Sequence, residues 1–449
     1  MNNVRRRRRI SPRLLGALLA GLVLGWGQAD AQVATALPES SREGVLRLDT
    51  VFLVLCGALV LFMQAGFAML EVGSVRAKNS LNVLTKTGAD FCLGTLCFLM
   101  IGFSVMFGAT WNGLIGGDFL WLSARDQSSE VWAFVLFQTL IAGVATTIAT
   151  LPMGERTRYR GYLAFTIVFA CLIYPLVGHW SWGHLAPGIS EGSGWLQARG
   201  FQDFAGACVV HVCGGAAALA GLIVVGPRKG RFSQRGTPLF IPPHNLPLSS
   251  LGTLVLIFGW FGLTCGSLLE AQFSIGRIGV NTLASASSAG FVAMMGYWSR
   301  EGRAEPSTLF QGMLGGLVAI SAAAPLVTPA QSIAIGAVAG LLVIIGANVL
   351  LRYKIDDVVN AVPVHLLNGL WGSLALALFG EGGFSVRGLS VQITGGFFTA
   401  VASFGLSIGA FYLIHRTIGL RVTEDEEEDG LDYTEHASNA YPDFNSFPD

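Results

Sequence analysis

Asp203-Phe-Ala-Gly-Ala-Cys-Val-Val-His211 and Asp357-Val-Val-Asn-Ala-Val-Pro-Val-His365 are the two stretches whose comparison decides the fold. Both begin with Asp and carry Ala at the fourth position on, Val at the seventh and His at the eighth. Each leads into an apolar run. About eleven such runs follow one another along the chain, each approaching the roughly 20 residues that cross a bilayer core. They are expected near 48–70, 88–108, 131–153, 161–178, 204–226, 248–269, 279–299, 307–323, 331–351, 361–380 and 392–415. The two stretches enter the fifth and tenth runs. Five crossings separate them, an odd number, so the two halves must have opposite orientations. That pattern predicts an inverted-repeat transporter with its site near the midplane, where the halves meet.

Composition supports a membrane chain. Of 449 residues, 52% are hydrophobic and 12% charged, where soluble domains carry about 25% charged residues. Mean hydropathy is +0.58. The 58 glycines suit helices whose backbones approach closely. Net charge is zero, which gives no argument for nucleic acid. Residues 1–31 read as a signal peptide: Arg5 to Arg9 are basic, Leu14 to Gly25 apolar, and Ala29-Asp30-Ala31 fits a cleavage site. An uncleaved first helix is the other reading of this segment. With the mature N-terminus outside, the inward loops hold fourteen Lys and Arg residues, from Arg76 to Lys354. The outward loops hold only Arg125, Arg199, Arg277 and Arg387. This bias places the inward loops in the cytoplasm. The expected organisation is thus an all-α membrane domain over 32–418 with eleven helices in a 5+5 inverted repeat plus one. An acidic, polar tail over 419–449 follows on the cytoplasmic side of an inner (plasma) membrane.

An ionisable residue inside a membrane is a functional candidate by default. A single mid-helix His is as readily explained by packing, but a pair at matching repeat positions, His211 and His365, points to a shared pore. Neutral rings each offer one donor and one acceptor nitrogen. If they touch, one bond joins them and an outer nitrogen faces a small N–H guest or a proton. An alkali cation would lose its water there with little replacement. Trp180, Trp182, Trp195 and Asp203 precede the fifth run and could attract a cation from outside, although the tryptophans also fit an interfacial belt. Ser267 could accept a hydrogen bond. Asp203 precedes a helix start, which favours capping or electrostatic support over direct ligation. All seven cysteines lie in apolar runs, with no CxxC pair, and read as packing residues. No ligand motif implies a metal or other cofactor.

Together with Gly66-Phe-Ala-Met-Leu-Glu-Val-Gly-Ser-Val-Arg-Ala-Lys-Asn79, Gly178-His-Trp-Ser-Trp-Gly183, His244-Asn-Leu-Pro247, Gly259-Trp-Phe-Gly262, Ile355-Asp-Asp357 and Gly430-Leu-Asp432 with Glu435-His436, these stretches resemble the Amt/Mep/Rh ammonium transporters over nearly the whole mature length. The resemblance implies an eleven-span protomer in a homotrimer, with one pore per subunit. It puts His211 and His365 on the twin pore histidines and Trp182 and Ser267 on the external ammonium-binding positions. Asp203 falls on the essential aspartate. The tail is similar to the segment that couples subunits and meets PII-type signal proteins.

The sequence departs from the family where two Phe rings usually form an external gate. Ile141 and Leu263 stand at those positions. An aliphatic pair still makes a dry constriction but offers no cation–π contact. Leu366 and Leu367 replace the smaller residues that commonly follow the second His. The leading expectation is an ammonium or ammonia transporter. The alternative is an ammonium sensor that keeps the site and conducts poorly or not at all. Sensors of this kind carry a signalling domain after the tail, and the sequence given ends at Asp449 without one. A metalloenzyme using the histidines with Cys208 or Cys213 is disfavoured by the missing ligand motif.

Overall fold

The computed structural model describes residues 39–118, 120 and 127–442. The expected signal peptide, Arg125 and the last seven residues of the tail lie outside them. Ten helical segments among the described residues are long and apolar enough to cross a membrane. They are α1 (Arg47–Ser74), α2 (Ala77–Phe107), α3 (Ser129–Met153), α4 (Tyr159–Trp182), α5 (Ala207–Val225), α6 (Leu246–Gly266), α7 (Ile275–Glu301), α9 (Pro329–Arg352), α10 (Val362–Phe379) and α11 (Val386–Thr417). The run expected over 307–323 forms a shorter helix, α8 (Pro306–Ile320). It stops at Ile320 because Ser321 to Ala323 tighten into successive turns, with Ser321 N–H bonded to Val318 and Ala323 N–H to Ile320.

Two other features depart from the sequence expectation. A small hairpin, β1 (Ala109–Trp111) with β2 (Ile115–Gly117), follows α2, so the chain is mostly rather than wholly helical. Helix α2 also begins well before residue 88. Its first turns are polar, yet Asn82, Lys86 and Asp90 are buried, because neighbouring helices rather than lipid cover them. Asp90 accepts from the hydroxyls of Thr147 and Thr166.

Helices α3 and α5 form the centre, with 89% and 83% of their most apolar windows buried, whereas α11 has only 28% and lies at the margin. Helix α1 packs along α6, and α7 along α8 and α9. Small residues make these approaches possible. A Cβ on Gly66 would come within 2.9 Å of the Gly252 carbonyl, and one on Gly252 within 2.6 Å of that of Gly66. Dispersion at such contacts holds helices together where lipid offers no hydrophobic drive.

One end of the bundle is built from ions. Glu155, fully buried and at φ +74°, binds Arg76, Arg228 and Asn79. Asp356 accepts from Arg228 and Arg231. Burial opposes its charge, but the guanidiniums of Arg228 and Arg156 hold the carboxyl far below the usual carboxylate range. The tail docks on this end as two short helices, α12 (Glu424–Asp429) and α13 (Leu431–His436). Asp432 accepts from the backbone N–H groups of Leu81 and Asn82 at the start of α2, and Glu435 from that of Tyr159 at the start of α4.

Candidate functional site

Local backbone geometry places the two histidines. Three residues after each repeat aspartate the chain turns left-handed, at Gly206 (φ +86°) and Asn360 (φ +56°). Glycine and asparagine are the residues that tolerate this conformation best. A π-helical turn follows in each case, over Ala207–Val212 and Val362–Leu367, and each turn carries its histidine. The aspartates fasten these turns. Asp203 accepts from the N–H groups of Cys208 and Val209 at 2.9 and 2.8 Å. Asp357 accepts from those of Ala361 and Val362 at 3.0 and 2.8 Å. The donor five residues on is thus the same in both halves. Four residues past each histidine is a glycine, and the two are used reciprocally. A Cβ on Gly215 would collide with the backbone of Leu366, and one on Gly369 with the carbonyl of Ala207.

This crossing brings His211 and His365 together. Their Nδ1 atoms are 3.3 Å apart, so one ring donates to the other. The rings stack at 5.2 Å between centroids and 21° between planes. Both are buried. His211 also stacks on Trp260 at 5.0 Å and 15°. The Trp260 indole N–H donates to Ser321 Oγ at 3.2 Å, which fixes that ring. Phe67 lies tilted against His365 at 6.5 Å. The Nε2 atom of His211 is buried without a hydrogen-bond partner among the described residues. The arrangement therefore offers an unused imidazole nitrogen on a dyad walled by aromatic rings. Such a site can bond a small N–H donor or hold a proton, while supplying few oxygens to replace the water of an alkali ion.

The remaining candidates divide. Trp182 is buried beside Gly206, and its indole N–H donates to the Asp203 carbonyl oxygen at 2.7 Å. The Asp203 carboxylate keeps one oxygen unpartnered among the described residues. Burial pushes this carboxyl up to about 6, against the pull of four backbone N–H groups. Trp180 and Trp195 are committed elsewhere. They meet edge to face at 5.6 Å, and Arg199 lies over Trp195. The cation that Trp195 attracts is thus a side chain of the protein. Ser267 ends α6 and donates its hydroxyl to the Leu263 carbonyl at 2.8 Å, leaving lone pairs to accept. Ile141 and Leu263 are fully buried on α3 and α6. One turn before Ile141, the ring of Phe137 packs against Gly266, where a Cβ would lie 2.6 Å from it. An aromatic ring thus reaches the end of α6 after all. Sequence reasoning passed over Phe137 and quoted Trp260 only within a motif. The reciprocal glycines were legible at equal offsets in the two halves.

A cavity of about 450 Å³ opens at the tail end of the bundle, lined by Asp357, Asn360, Ser74, Thr308 and Gln311 among others. A second, of about 960 Å³, lies between the tail and His244.

A sequence profile described as the Ammonium Transporter Family matches residues 51–441. Ammonium transporter Amt2 of Archaeoglobus fulgidus is 38% identical over 460 residues, covering 96% of this chain and 95% of that protein. A solved structure titled Sensor Amt Protein superposes with a TM-score of 0.85 at 36% identity, covering 88% of this chain and all of the other. Mep2 of Candida albicans superposes with a TM-score of 0.75 at 25% identity, covering 85% of this chain and 87% of that one.

Proposed function

The chain belongs to the Ammonium Transporter Family, and from that membership we propose that it moves ammonium or ammonia across a membrane through a pore centred on His211 and His365. The observation that carries this reading is the hydrogen-bonded imidazole pair in matching π-turns. Trp182, Ser267 and the ionised Asp203 attract the cation at the outer mouth. The guest loses its water past Ile141, Phe137 and Leu263, and bonds the free nitrogen of the dyad. It leaves by the cavity beside Asp357. Helix α8 completes an eleven-span protomer, and the protomer works as a homotrimer in the plasma (inner) membrane. The basic loops and the docked tail face the cytoplasm, where a PII-type signal protein is the expected partner.

Complementation tests the reading. The chain is expressed in cells lacking ammonium transporters, and growth on low ammonium and uptake of labelled methylammonium are measured. Growth and uptake that vanish with Asp203→Ala are expected. A correctly inserted protein without uptake would overturn transport. A second reading, a sensor, is favoured by the solved neighbour titled a sensor and by the aliphatic residues at 141 and 263. It predicts ammonium-dependent thermal stabilisation without flux, with flux gained in Ile141→Phe combined with Leu263→Phe.

A further inference from the structure

The described helices contain four π-turns, and the histidines occupy only the two that open a helix. The others, Phe98–Gly102 in α2 and Phe169–Ile173 in α4, pack against each other. A Cβ on Gly102 would collide with the Ala170 carbonyl, so the two backbones are at close approach there. π-turns often mark functional positions, and this pair carries two cysteines. Cys97 immediately precedes the first turn and Cys171 lies within the second. The Cys171 thiol is 3.8 Å from the Cys97 carbonyl oxygen, so the second thiol reaches the backbone that carries the first. Unlike Cys56, Cys208, Cys213 and Cys265, both are only partly buried. This corrects the reading of all seven as packing residues, because within the single chain Cys97 and Cys171 are half-buried and Cys92 is exposed.

The geometry points to Cys97 and Cys171 as a two-thiol chelating site for a soft, thiophilic d10 cation, of which mercury(II) is the fitting case. Charge selects the metal. Two thiolates on a divalent ion leave no net charge, whereas silver(I) or copper(I) would leave one negative charge in surroundings where an unpaired charge is costly. Two ligands suffice for a linear sulfur–metal–sulfur unit, so the absence of a cluster of three or more ligating side chains among the described residues does not bear on it. Mercuric chloride is neutral and can reach a thiol pair that the chain buries only in part. Two S–H bonds and two Hg–Cl bonds break, two Hg–S bonds form, and two protons leave with two chlorides. The product ties α2 to α4 at mid-length, on the helix that also carries Trp182.

The test uses the purified full chain in detergent. It is treated with mercuric chloride, stripped with glutathione to remove metal from single thiols, and analysed for retained mercury. The wild type is expected to keep one more mercury per chain than Cys97→Ser, Cys171→Ser or the double variant, with matching loss of sulfur-to-mercury charge-transfer absorbance. Equal retention in all four, or loss in only one single variant, overturns the site. Should a variant fold poorly, the wild type alone decides. After mercury and stripping, peptide mapping with a membrane-permeant maleimide should find both cysteines protected, and labelling of either overturns chelation.

Discussion

At the scale of single residues, the observed capping role of Asp203 and its proposed role in capture pull in different directions. Its carboxylate fastens the π-turn that holds His211, and its free oxygen supplies negative charge near Trp182. Burial raises its ionisation from the ordinary 3.8 to about 6. Between those values the folded protein keeps a proton that the unfolded chain has lost. The resulting stabilisation is complete below about 4 and disappears as pH rises through about 6. The proposed capture runs the other way, because the anion it needs appears only as pH rises through about 6. Methylammonium uptake should therefore show a weaker apparent affinity as external pH falls through about 6. In Asp203→Asn, checked for intact folding by thermal melting, that step should be absent. An unchanged pH step in the variant would remove Asp203 from capture. Sequence alone named this residue and both histidines, since an ionisable side chain in an apolar run stands out. Trp260 and Phe137 did not stand out, because an aromatic residue in a membrane helix has many ordinary reasons to be there.

At the scale of elements, the repeat is more exact in space than in letters. Gly206 and Asn360 are different residues doing the same left-handed turn, so a comparison of identities misses the position that redirects each helix. The glycines at 215 and 369 are identical, yet their use becomes visible only when each is seen against the other half. Gly215→Val and Gly369→Val should each push the halves apart. Overpacking of this kind costs about 1–3 kcal/mol, and because the contacts are reciprocal the two variants should have similar costs. Thermal unfolding in detergent measures this, and a large asymmetry would mean that one half alone positions the dyad. Span ends were the least legible elements. Hydropathy cannot tell a polar turn wetted by solvent from one covered by neighbours, so the expected start near residue 88 falls inside α2, which begins at Ala77. The Ala-rich stretch after Ile320 looked like a continuing helix, but it is a run of tight turns.

At the scale of the whole molecule, the tail completes the membrane domain. An acidic, polar segment without a span reads from sequence as a loose extension. Its burial was illegible because the groups it satisfies lie more than 270 residues away, at the starts of α2 and α4. Asp432 serves α2 as a cap from a distant part of the chain, and loss of a cap costs about 1 kcal/mol. Asp432→Ala should lower thermal stability modestly and expose the junction around Gly430 to limited proteolysis. A tail as protected as in the wild type would show that other contacts suffice. The fold class itself was legible at this scale, since apolar runs, loop charge and the paired motif all bear on one architecture.

The capping carboxylates carry a practical consequence. Helix starts point a partial positive charge outward, and here it is answered by Asp432 and Glu435, which are made after the last membrane helix. Until that stretch is made, α2 and α4 wait with bare starts. A shortened chain would therefore insert and look whole by its crossings, yet carry two frayed membrane helices. Any comparison of full-length and clipped protein should count that fraying before crediting the tail with a signal.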